Sequence, residues 1–261
     1  MRDPAKWSDL APRVISGVAM AVVGAVDVYI GGVVFEVTVI GLSAIMLWEA
    51  ARMFGAEQTA AIRISVLGAA AFTLASISPY MLVVPLLLAA ALVGAGQVSR
   101  EKSLFTPFAA WILVAGFSVW TLREEAGLIW MSWLILIVIV SDIAGYFAGR
   151  MLGGPKFWPA ISPKKTWSGT VAGWIGAAIV GFFFAGPTTA GMVLVPLSML
   201  VAFAGQMGDI LESFIKRKLG VKDSSNLIPG HGGVLDRLDA LLGASMLVMI
   251  LWFAKAVPGL T

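Results

Sequence analysis

Apolar stretches of about 20 residues, enough for a helix to cross roughly 30 Å of hydrocarbon, alternate along this chain with short charged or Gly/Pro-rich breaks. They fall at 14–30, 33–53, 61–78, 80–96, 105–122, 128–149, 169–186, 189–208 and 238–257. The pattern predicts an all-α polytopic membrane protein of about nine transmembrane helices, with a cytoplasmic N-terminus and the C-terminus on the outer side. The first stretch follows Arg2, Lys6 and Arg13, as a signal peptide would, but continues into further spans without a clear small-residue cleavage site. It is read as an uncleaved first helix.

Charge tests this count. Nine spans starting inside place alternate connections in the cytoplasm, and those connections should hold the Lys and Arg. Of the 18 basic residues, all but Arg123 and Lys255 fall there: the N-terminus, 52–63, 100–102, 150–165 and 216–237. The outer connections around Gly31, Ser78 and Pro187 hold none. The expected location is the cytoplasmic (inner) membrane, with the polar side facing the cytosol.

Composition agrees: 59% of the residues are hydrophobic and 13% charged, a balance that a water-soluble domain of this length does not hold. The absence of cysteine excludes disulfides, thiolate nucleophiles and Cys-ligated metals, and the single His231 excludes a multi-histidine metal site. The net charge of +3 follows membrane topology and does not mark a nucleic-acid-binding surface, so no nucleic-acid partner is expected. Two halves of one membrane domain are expected: a scaffold of about five helices over 1–127, and a working half over 128–261 with four helices and two long inner loops.

Polar residues gather in the second half. In 208–217 the residues Asp209, Glu212, Ser213 and Lys216 share one helical face, which suits a polar surface leaving the membrane but also an ordinary Glu212–Lys216 pair. In 230–239, Gly232 and Gly233 precede Asp236, Arg237 and Asp239; such a turn suits either backbone N–H groups offered to a phosphate or a plain Asp-capped helix start. Asp209, Asp236 and Asp239 all lie where helices are predicted to meet the cytosol. Carboxylates gathered there repel unless a cation lies between them, and Mg2+ held by Asp209 and Asp236 fits. The loop 156–169 carries Ser162, Lys164, Lys165 and Thr166, suited to a phosphate, although the inner position alone calls for basic residues. Asp142, with Tyr146 one turn on, is an ionisable residue within a span and a candidate functional group. Asp27, Glu36 and Glu49 sit at span ends and are expected to meet interfacial water or neighbouring helices. Gly169 and Gly173 are expected to form a packing notch.

The string Ser213-Phe-Ile-Lys216-Arg217-x4-Lys222-Asp223-x-Ser225-x2-Ile228-Pro229-x-His231-Gly232-Gly233-Val-x-Asp236-Arg237-Leu-Asp239 resembles the signature of the phosphatidate cytidylyltransferase (CDP-diacylglycerol synthase) family. Gly208-Asp209, Asp142-x3-Tyr146 and Ile161-Ser162-Pro-x-Lys165-Thr166 resemble its other blocks, in the same order. The chain departs from the pattern at Ser168, where the family usually has Glu. The resemblance implies a multi-span, often dimeric fold that binds CTP and phosphatidic acid among membrane lipids, with Mg2+ near Asp209 and Asp236. On that reading Lys164, Lys165, Lys222 and Arg237 neutralise phosphates, Asp223 and Asp239 orient those cations or water, and His231 positions a phosphate. Two rivals stand beside it: transfer to another lipid phosphate, and a cation or proton transporter with Asp142 and Asp209 on its path. Clustering of the polar groups on one side disfavours transport.

Overall fold

The computed structural model describes residues 10–228 and 230–260; Arg2, Lys6, Pro229 and the Arg13 side chain lie outside the described residues. The described part is helical apart from one small hairpin. In order it runs α1 (Leu10–Ile30), α2 (Gly32–Met53), α3 (Gln58–Ser76), α4 (Tyr80–Ala95), α5 (Lys102–Thr121), α6 (Gly127–Met151), β1 (Lys156–Trp158), β2 (Ser162–Thr166), α7 (Trp167–Phe184), α8 (Leu194–Leu219) and α9 (Leu235–Phe253).

Five helical stretches among the described residues are long and apolar enough to cross a membrane: Gly32–Met53, Gln58–Ser76, Lys102–Met151, Trp167–Phe184 and Gly191–Leu219. The chain is an integral membrane protein. The remaining apolar helices, Ser16–Ile30 and Tyr80–Ala95, are shorter, and α9 opens on the charged Asp236, Arg237 and Asp239. The expected break between the fifth and sixth spans is a π-helical turn, Leu122–Ala126, which joins α5 to α6. The turn ends at Gly127, whose φ of 86° is open to glycine and strained for other residues.

Packing divides the chain into two compact units, Met1–Val114 with Leu219–Leu238, and Ala115–Lys218 with Asp239–Thr261. In the first, Phe54 meets Phe105 edge to face, ring centroids 5.3 Å apart, among the buried Met46, Leu47, Ile64, Phe72 and Leu87. Gly94 lets α4 lie close over this cluster, since an added Cβ would stand 3.0 Å from the Phe105 ring. Val33, Val34 and Val37 of α2 are exposed, as a lipid-facing surface requires.

In the second unit, helices approach through small residues, the usual means of close packing where lipid removes the hydrophobic drive. A Cβ on Gly169 of α7 would lie 2.6 Å from the Gly145 carbonyl oxygen of α6, and one on Gly173 would lie 2.7 Å from Ser141 Oγ. Gly169 and Gly173 therefore form the packing notch expected of them. A Cβ on Gly243 of α9 would likewise lie 2.9 Å from Gly208 Cα of α8. The buried Trp133 indole donates to Ser198 Oγ at 2.9 Å, so its polar atom is satisfied inside the bundle.

Candidate active site

Each unit holds part of the polar set. In the second unit, the segment read as a loop is an antiparallel hairpin with Lys156 opposite Thr166 and Trp158 opposite Ser162. Successive side chains of a strand point to opposite faces, so the neighbouring lysines part company. Lys164 is exposed, while Lys165 turns inward and pairs with Asp209 of α8, Nζ to Oδ2 2.5 Å. The same ammonium donates to the Gln206 carbonyl at 3.4 Å, and Ser213 Oγ donates to Asp209 Oδ1 at 3.3 Å. The Lys165 and Asp209 side chains are 25% and 35% exposed, so solvent partly screens the pair.

Thr166 ends the hairpin and caps α7, its Oγ1 accepting from Gly169 N at 3.2 Å. Ser168, at the position where the resemblance departs, donates to the Gly153 carbonyl at 2.5 Å and shares a 3.0 Å hydrogen bond with Thr166. It closes the base of the hairpin. Ser162 is half-buried in β2. On α6, Asp142 and Tyr146 are exposed, and Arg150 donates to the Tyr146 hydroxyl at 2.7 Å.

Asp239, at the start of α9, is in electrostatic range of Asp209, Asp142 and Lys216. Three carboxylates thus act on one region of this unit, against Lys165 and Lys216. The polar face of α8 is not uniformly solvated as expected. Glu212 is fully buried and binds Lys216 Nζ at 2.5 Å, which is the plain i,i+4 pair, and Arg217 is exposed. Burial of one member of the face follows from packing that the spacing alone does not show.

Sequence reasoning missed Gln206. It accepts from Trp174 Nε1 at 3.1 Å and donates to Ser141 Oγ and the Thr170 carbonyl at 3.4 and 3.3 Å. One amide ties α6, α7 and α8 together a single turn before Asp209. Its signal was available, since an amide in an apolar span needs partners.

The first unit holds Lys222, Asp223, His231, Gly232, Gly233, Asp236 and Arg237. Asp236 Oδ2 accepts from Ser224 N, Ser224 Oγ and Gly233 N, each at 2.8 Å. The donor Gly233 lies before the helix, so this carboxylate folds back over the turn. Val234 N and Leu235 N go to Glu49 at 2.9 and 2.8 Å, and His231 N and Gly232 N to the Ile228 carbonyl. The backbone donors of 231–235 therefore have internal acceptors, and an anion would meet them only in competition with carboxylates. His231 Nδ1 shares a 3.0 Å hydrogen bond with Ser16 Oγ. Lys222, Asp223 and Arg237 are exposed, and among the described residues the two cations make no ion pair.

Among the described residues no group of three or more acidic or histidine side chains makes a metal cage. Asp209 nevertheless fits a cation: its partly exposed carboxylate already draws an ammonium to 2.5 Å. Magnesium needs only one or two carboxylates when phosphates and water complete its shell. One oxygen of Asp236 is committed to the loop.

The cytidylyltransferase family model matches residues 11–254. The chain is 34% identical over 261 aligned residues, 96% of each chain, to a phosphatidate cytidylyltransferase of Brucella suis. It is 32% identical to one of Helicobacter pylori, over 93% of this chain and 92% of the relative. A phosphatidate cytidylyltransferase of Haemophilus influenzae is 37% identical over 57% of this chain and 54% of its own.

Proposed function

The chain belongs to the cytidylyltransferase family, and on that premise we propose that it transfers the cytidylyl group of CTP to phosphatidic acid. A phosphate oxygen of phosphatidic acid forms a bond to the α-phosphorus of CTP, the bond from that phosphorus to the bridging oxygen of the β-phosphate breaks, and CDP-diacylglycerol and pyrophosphate result. The observation that carries this reading is the likeness to phosphatidate cytidylyltransferases over 96% of the chain, with the family model running across 11–254.

No general base is needed, because the second pKa of a phosphate monoester is about 6 and the nucleophile is largely dianionic at neutral pH. The difficulty is repulsion between two anions, and positioned cations relieve it. Lys165 is suited to this: its ammonium is partly exposed and its pair with Asp209 is partly screened by solvent. Lys164, Lys222 and Arg237 are exposed cations of the same kind. Asp209 is the group suited to hold Mg2+, with Asp236 the second ligand that the resemblance implies; the bound ion would supply charge compensation for the phosphates. Ser213 holds the Asp209 carboxylate, and Asp239 lies within electrostatic range of it.

The finer membrane arrangement belongs to the same proposal: nine spans, N-terminus in the cytoplasm, C-terminus outside, and the site on the cytosolic face of the inner membrane. The distribution of Lys and Arg supports it. So does the division of substrates, CTP being soluble and phosphatidic acid membrane-bound. A homodimer and the scaffold and working halves at 1–127 and 128–261 complete it.

The test uses purified protein in detergent with labelled CTP, phosphatidic acid and Mg2+. Lipid-soluble cytidine should form with one pyrophosphate per product, and EDTA should stop it. No such product with phosphatidic acid, together with product from another lipid phosphate, would reassign the acceptor.

A further inference from the structure

Glu49 lies near the end of α2, far in sequence from every motif of the signature, and its side chain is wholly buried. A buried carboxylate is costly unless its oxygens are satisfied, and among the described residues its donors come from one distant segment. Oε1 accepts from Ser225 Oγ at 2.6 Å and Val234 N at 2.9 Å. Oε2 accepts from Leu235 N at 2.8 Å and Ser224 Oγ at 3.4 Å. The Val234 and Leu235 amides open α9, so Glu49 supplies the negative group that a helix start favours.

Asp236 grips the same segment, through Ser224 and Gly233. Ser224 Oγ touches both carboxylates, and the two acids close 224–235 into one turn. Gly233 must be glycine there, since an added Cβ would collide with Ser224 Oγ and Glu49 Oε1. Lys222 stands two residues before this clamp and Arg237 two residues after it, both exposed. The clamp sets where the two cations emerge.

We infer that Glu49 is a positioning residue of the transfer reaction, a carboxylate of the N-terminal helices that shapes the 224–235 turn and thereby places Lys222 and Arg237 for the phosphates of CTP. This role rests on the reaction proposed above. An apolar residue would fill the space equally well; what it would not do is hold two helix-start amides and two hydroxyls in one arrangement.

Glu49→Gln is nearly isosteric, yet in either orientation its amide NH2 faces a backbone N–H, of Val234 or of Leu235, and one anchoring bond is lost. The expected result is a KM for CTP raised on the order of tenfold, the worth of about one hydrogen bond to a charged group. The KM for phosphatidic acid should stay within about twofold. Trypsin adds a readout independent of turnover: cleavage after Lys222 should quicken about fivefold as the turn loosens, while cleavage after Lys164 in the hairpin keeps its wild-type rate. Should Glu49→Gln not fold, Ser225→Ala removes one donor and keeps the buried charge, with a rise in CTP KM of about threefold expected. Unchanged kinetics overturn the inference. So does a fall in kcat alone with both cleavages quickened, which marks general destabilisation. A wild-type protein that makes no lipid-linked cytidine removes the reaction and this role with it.

Discussion

Lys164 and Lys165 are chemically the same residue, and only the strand they share separates them. Lys165 turns toward Asp209 and pairs with it, whereas Lys164 is exposed. Lys165→Ala is accordingly expected to raise the KM for one substrate by about tenfold or more, the loss of a charge-assisted contact, with kcat within about threefold. Asp209→Asn should instead lower kcat by about a hundredfold or more, because it removes the group suited to Mg2+. Steady-state kinetics in both substrates separate the two, and equal effects on kcat would refute the division of labour. Adjacent lysines and acids at span ends were legible as polar positions, while the pairing of Lys165 with Asp209 was not. Nor were the partners of Glu49: its place at the end of an apolar span predicts interfacial water or a neighbouring helix, and the groups it meets lie 175 to 186 positions away.

Among the elements, the hairpin is the one that hydropathy did not foresee. Lys-Phe-Trp and Ser-Pro-Lys-Lys-Thr show no clean alternation of apolar and polar residues, so nothing local marks two short strands. The pairing becomes visible through Thr166, which ends β2 and caps α7, and through Phe157 against Trp167, ring centroids 4.7 Å apart. Thr166→Val keeps the shape and loses the cap, at about 1 kcal/mol. The melting temperature in detergent is expected to fall by about 2–4 °C, with Thr166→Ser near wild type. A melt unaffected by Thr166→Val would show that the cap carries no stability. The joined α5 and α6 have a related cause, since Arg123, Glu124 and Glu125 look like a loop in hydropathy but are held in a π-helical turn.

For the whole molecule, the arrangement in the membrane is the largest claim, and an unusual feature of the chain makes it directly testable. There is no cysteine, so single-cysteine variants report one position each. In intact cells a membrane-impermeant maleimide should label Pro187→Cys, in a predicted outer connection, and should label Lys156→Cys only after the membrane is opened. The reverse pattern would invert the orientation and take the site away from the cytosol. Among the described residues five stretches satisfy length and composition for a span, and the other four of the proposal fall on α1, α4, α9 and the joined α5–α6 run.

By itself the sequence determined that the chain lives in a bilayer, that its polar residues concentrate in the second half and that it resembles a lipid-phosphate cytidylyltransferase. These are additive properties: hydropathy sums over neighbours, and a spaced motif is a local string. Tertiary structure alone decided which acid meets which cation, which amides of the Gly-rich turn already have acceptors, and that Glu49 governs a segment far along the chain. A hydrogen bond needs donor and acceptor within about 3 Å, and only packing brings together groups so widely separated in sequence.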